Sequence, residues 1–70
     1  MDKKFYIKMI KHLEFPLFNN GINILQEAVE IIKKNGNPEF LEDKYLQELS
    51  EEQLKNIYQE FSKLIDKHSL

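Results

Sequence analysis

The chain of 70 residues contains no cysteine and no arginine. Without cysteine it has neither a disulfide framework nor a thiolate metal site. Without arginine it lacks the planar donor fork that most often binds phosphate, carboxylate and guanine through two hydrogen bonds, which lowers the expectation of nucleic-acid binding. Glycine and proline occur only twice each, so the sequence holds no glycine-rich phosphate loop.

Long apolar runs and catalytic motifs are also missing. No run approaches the roughly 18 apolar residues that a membrane-spanning helix needs. The N-terminal segment is interrupted by charge every few positions, unlike the core of a signal peptide. We therefore expect a cytoplasmic protein with no membrane segment. Neither a zinc-binding His-Glu-x-x-His motif nor a nucleophile elbow occurs, which favours a protein that is not an enzyme and uses no cofactor and no metal.

The chain does have enough apolar residues to fold. Hydrophobic residues make up 41%, charged residues make up 31%, and the formal net charge is −2, which is typical of a folded domain. We expect residues 1–70 to form a single domain. Burial contributes on the order of 110 kcal/mol for this mass, and ordering the chain costs about the same. Self-association, with a homodimer favoured over a monomer, or binding to a protein partner would supply the missing stability.

Apolar residues recur at helical spacing in four segments. They predict an all-α fold, a small compact bundle of three to four antiparallel helices near residues 3–13, 21–34, 38–48 and 51–67. A strand is the competing prediction for residues 5–10, because aromatic and β-branched residues are dense there. The predicted core consists of Ile10, Leu13, Leu25, Val29, Ile32, Phe40, Leu54, Ile57, Phe61 and Leu64.

Local signals set the predicted helix boundaries. Pro16 disfavours helical backbone at the preceding residue and predicts a break over residues 14–21, whose large apolar side chains belong either to the core, which we favour, or to a docking patch. Asn35-Gly36 ends the second helix, and Asn37-Pro38 begins the third as N-cap and first helical residue. Ser50 and Gln53 have the spacing of a capping box at the start of the last helix.

The most distinctive charge pattern is an acidic segment that consists of Glu39, Glu42, Asp43, Glu48, Glu51 and Glu52. It has three interpretations. It forms an ordinary solvated face, or it docks a basic partner or imitates a nucleic-acid backbone, or it pairs with the lysine-rich first helix of another copy. A helix-turn-helix formed by the second and third helices is disfavoured, because its recognition helix would carry these carboxylates into a negatively charged groove.

The last helix adds a second candidate surface. Tyr58 and Ile65 widen its apolar face, and they mark a dimer or target interface if the first three helices leave that flank uncovered. His12 and His68 are expected at helix ends, partly exposed, rather than as metal ligands or general bases. The candidate partner-binding residues are therefore the six residues of the acidic segment together with Tyr58 and Ile65.

These observations favour one function over two others. The leading hypothesis is a non-enzymatic protein-binding module, a regulator, inhibitor or immunity-type protein that occludes a surface of a larger protein. The first alternative is a dimeric nucleic-acid-associated regulator that uses Lys4, Lys8 and Lys11 on the first helix. The second alternative is a structural subunit whose purpose is self-assembly.

Overall fold

The computed structural model describes residues 2–70, and within that range it contains four helices and no strand. They are α1 (Lys3–Phe18), α2 (Ile22–Lys34), α3 (Asp43–Leu46) and α4 (Glu51–His68). The all-α bundle is thereby confirmed, and residues 5–10 are helical. The accessible surface of 4653 Å² is close to the roughly 4,600 Å² expected for a folded monomer of this mass.

Helix α2 runs antiparallel to both α1 and α4. A three-residue connection joins α1 to α2, and side-chain contacts place Asn35 near Glu60 and Glu27 near His68. Those two pairs show that α2 and α4 are antiparallel. Consequently α1 and α4, which form the largest interhelical contact, run in the same direction. Their contact includes Tyr58, which packs edge-on to Phe5 and tilted to Tyr6 at 5.9 Å between ring centroids in each case.

The core is centred on the α1–α4 contact. Six of the ten predicted core residues are buried, namely Ile10, Ile32, Leu54, Ile57, Phe61 and Leu64. Seven further apolar residues are buried that the prediction did not include, namely Tyr6, Ile7, Leu17, Ala28, Leu41, Leu46 and Leu49. Leu13, Leu25 and Val29 are half-buried. Phe40 is 54% exposed, so its assignment to the core was wrong.

The predicted break at Pro16 was also wrong, because α1 continues to Phe18. Proline in a helix removes one N–H and crowds the preceding turn, but Pro16 lies in the last turn, where few intrahelical bonds remain to be lost. Leu17 extends the apolar stripe of Ile10 and is completely buried, which stabilises the helix by about 1.5–3 kcal/mol. The side chain of Asn19 caps the end by donating to the carbonyl of Phe15 at 2.8 Å.

The predicted third helix, residues 38–48, was too long. Only α3 is helical, because Asn37 has a left-handed backbone (φ 48°) rather than the extended conformation of an N-cap, and the chain up to Glu42 is irregular. In this irregular segment Leu41 turns into the core while the adjacent Phe40 turns out. Helical spacing would have placed both on similar sides.

Other predicted caps are confirmed. The Ser50 hydroxyl accepts from the Gln53 amide at 3.0 Å, and the Gln53 side chain accepts from the Ser50 amide at 2.8 Å, which completes the capping box. Gly36 adopts a left-handed backbone (φ 105°) after α2. The amide of Asn37 then donates to the carbonyl of Ile32 at 2.9 Å, as in a Schellman motif.

Candidate functional site

All six carboxylates of the acidic segment are exposed. They lie on three consecutive pieces of chain, which are the irregular stretch before α3, α3 with its following turn, and the first turn of α4. Glu51 and Glu52 are in that first turn, where the helix dipole favours negative charge. The chain thus presents these carboxylates to solvent without burying any of them.

One member of the acidic segment is held by α1. Asp43 accepts a hydrogen bond from the Lys11 ammonium at 2.9 Å, and that bond together with the carboxylate charge raises the pKa of Lys11. Lys3 adds a second tie by donating to the carbonyl of Gln47 at 3.1 Å. These two contacts, one to a carboxylate of the acidic segment and one to a backbone carbonyl, hold α3 and its following turn against α1.

The other two candidate residues lie elsewhere. Tyr58 is half-buried against the α1 aromatic residues. Ile65 is half-buried beside Phe15 and Leu70, in a groove that Lys11 and His12 also line. The structure therefore separates the eight candidate residues into an exposed acidic surface and two positions at the edge of the core. It does not bring them together into one site.

An apolar groove borders the acidic segment, and the sequence analysis missed it. We call it the Phe40 groove, and it is lined by Glu14, Phe18, Val29, Ile32, Asn37, Pro38, Glu39, Phe40 and Leu41. Its charged lining residues are both glutamates. Its volume of about 260 Å³ lies below the roughly 300–1,000 Å³ of small-molecule sites, so it suits one inserted side chain better than a whole ligand.

The apolar floor of the groove continues along α2. Val29 also lines a shallow depression that contains Leu25 and Ile22, and Ile22 is 62% exposed. These three residues, which we call the outer stripe, follow one another at spacings of three and four. The charges beside them, Glu30 and Lys33, approach each other at only 3.9 Å. The apolar surface thus spans about two helical turns.

Two further ionic contacts connect α2 to α4. Glu27 accepts from Lys67 at 2.9 Å and lies 2.9 Å from Nε2 of His68. These hydrogen bonds lower the pKa of Glu27. The Lys34 ammonium contacts the Glu60 carboxylate.

Glu60 is the better enclosed of the two carboxylates. Partial burial alone would raise the pKa of Glu60, but hydrogen bonds from Lys34 and Asn35 outweigh it, so that the pKa is lowered. Asn35 is itself buried and donates to both Glu60 and the carbonyl of Ile31 at 2.9 Å. The contacts of Lys34 and Asn35 with Glu60 hold the end of α2 against α4.

Within residues 2–70 no group of three or more histidine, aspartate or glutamate side chains is placed to hold a metal ion. None of the helices described there is long and apolar enough to cross a membrane. Comparison of the chain with protein-family models, curated proteins and solved structures finds no significant match. Any functional assignment therefore depends on the surface itself.

Proposed function

We infer that the protein is a non-enzymatic protein-binding module, a small regulator or inhibitor that acts in the cytoplasm by occluding a surface of a larger protein. Its partner surface includes the acidic segment. The observation that carries this proposal is the exposure of Phe40, a large aromatic side chain, directly beside the exposed carboxylates of Glu39 and Glu42. An aromatic residue surrounded by polar groups is a common arrangement at protein interfaces.

Two features support a binding role for the acidic segment rather than a purely structural one. Only Asp43 of the six carboxylates has an ion-pair partner among the residues that the structure describes, so the remaining charge is available to another molecule. The contacts of Lys11 with Asp43 and of Lys3 with Gln47 also restrain α3 and the turn that follows it before any partner arrives, which reduces the ordering cost of association.

Affinity capture from a lysate of the source cell tests this function. We expect immobilised wild-type protein to retain one protein in stoichiometric amount, and a variant with Glu39, Glu42 and Glu48 changed to glutamine to retain much less of it. High salt should weaken the capture, because exposed charges are screened. Asp66→Asn, which removes an exposed carboxylate of α4 outside the acidic segment, serves as the control. Failure to retain any stoichiometric protein would overturn the proposal.

A further inference from the structure

The shape and the charge of the surface made by the Phe40 groove and the outer stripe indicate what kind of partner would bind there. The groove is apolar at its floor, where Ile32 and Leu41 are nearly buried, and Phe40 forms an exposed wall. At its end, Val29 leads onto the outer stripe on α2. An apolar strip about two turns long with a deeper pocket at one end matches the footprint of an amphipathic helix with one large anchoring side chain.

The charge of this surface indicates the sign of the charge that its partner carries. Glu14 and Glu39 line the groove, and Glu30 and Lys33 flank the outer stripe, so the four charged lining residues sum to −2. The exposed Glu42 lies just beyond Phe40. A helix that carries lysine or arginine beside its apolar face would complement these carboxylates, whereas an acidic helix would be repelled.

We propose that the Phe40 groove and the outer stripe bind a basic amphipathic helix of a partner protein, whose large apolar side chain enters the groove. This inference rests on the proposed function, which it makes specific. A second copy of this chain is the less suitable occupant. A two-fold contact through this surface would bring the glutamates of both copies together, and the basic α1 face already uses Lys11 on its own Asp43.

Selection from a random library of 18-residue displayed peptides tests the proposal without knowledge of the natural partner. We expect selected peptides to be rich in lysine and arginine and to carry apolar residues at i, i+4 and i+7. Phe40→Ala and Glu39→Lys should each weaken binding of the selected peptides by about tenfold or more, since removing a central anchor commonly has an effect of that size. Both positions are exposed, so the fold should persist in these variants.

Phe15→Ala is the matched control. Phe15 is also a large exposed aromatic residue, at 73% exposure, but it lies in the groove lined by Lys11, His12 and Ile65. We expect this variant to bind the selected peptides as the wild type does. Amide chemical-shift changes on peptide addition should centre on residues 22–29 and 37–41.

Several outcomes would overturn the inference. They are selected peptides that are acidic, peptides whose binding is insensitive to Phe40→Ala, and an absence of binders. Sedimentation equilibrium that shows a dimer abolished by Phe40→Ala would assign the surface to a second copy instead. If a cellular partner is lost with the glutamine variant but kept by Phe40→Ala, the groove assignment fails while the binding function stands. If no cellular partner is captured, the function fails, and the peptide selection alone decides the groove.

Discussion

Gly36 has less freedom to change than Gly21, the other glycine of the chain. Its backbone is left-handed, and a Cβ built on it would lie 2.5 Å from Cδ2 of Leu49, a buried residue in the turn before α4. The sequence predicted a left-handed residue at Asn35 or Gly36, because glycine or asparagine after a helical segment is a local signal. It did not predict the contact with Leu49, since no local pattern relates residues that are so far apart in the chain.

Substitution of the two glycines separates the cost of backbone strain from the cost of crowding Leu49. Gly21 has nearly the same φ, 104° against 105° for Gly36, but no atom lies within 4 Å of its added Cβ. Gly21→Ala should therefore cost about 1–2 kcal/mol in free energy of unfolding through backbone strain alone. Gly36→Ala should cost roughly 1–3 kcal/mol more through overpacking. Urea denaturation measures both, and equal losses would show that Leu49 moves aside freely.

Glu27 should make the stability of the fold sensitive to acid. Because the pKa of Glu27 is lowered in the folded state, its contribution is present above the unfolded value of about 4.3 and is lost as the pH falls through the folded pKa. Denaturation between pH 7 and pH 3 should show a fall in stability below about pH 5 that is smaller in Glu27→Gln. Gln26→Ala, a neutral neighbour, should keep the wild-type slope, and identical slopes in all three proteins would contradict the prediction.

Helix α1 shows that burial outweighs a local signal for helix termination. The effect of Pro16 on the preceding residue predicted that α1 would end near Leu13. The periodic apolar stripe that includes Ile10, however, continues to Leu17. The sequence could be read correctly only by weighing both signals. The irregular stretch before α3 is the opposite case. There the helical spacing of the apolar residues was accidental, and the left-handed Asn37 prevented the helix that this spacing predicted.

A pair of alanine substitutions tests the extension of α1. Leu17 is fully buried and Phe15 is 73% exposed, although both lie within two residues of Pro16. Leu17→Ala should lower the free energy of unfolding by about 2–5 kcal/mol, whereas Phe15→Ala should change it by less than about 0.5 kcal/mol. Thermal unfolding followed by circular dichroism measures the difference. Similar losses for both variants would mean that the segment packs as the sequence-based break suggested.

At the scale of the whole molecule, the fold class followed from helical periodicity, while the apolar part of the candidate site did not. Capping signals defined α4 almost to the residue, as Ser50 and Gln53 illustrate. The acidic segment was visible as a charge run. The Phe40 groove was not, because it depends on how the irregular segment lies across α1 and α2. The only sequence hint was the adjacent pair Phe40-Leu41, which in a non-helical segment sends one side chain outward.

The dominance of the α1–α4 contact predicts that the first three helices cannot fold alone. A chain that ends at Ser50 should show little helical circular dichroism and no cooperative unfolding, because α1 loses the helix with which it makes its largest contact. Addition of a peptide of residues 51–70 should restore the helical signal. The same peptide with Phe61→Ala should fail, since loss of this fully buried ring costs about 3–5 kcal/mol. Cooperative unfolding of the shortened chain would refute the prediction.

The same parallel pairing of the first and last helices has a consequence during protein synthesis. The ribosome adds the residues of α4 at about 5–20 residues per second. During this time, about one to several seconds, the apolar face of α1 remains exposed to solvent. A nascent chain that stops before this helix is complete never closes its core and stays open to proteases. Degradation would therefore remove chains interrupted before α4, so that copies synthesised through α4 accumulate preferentially.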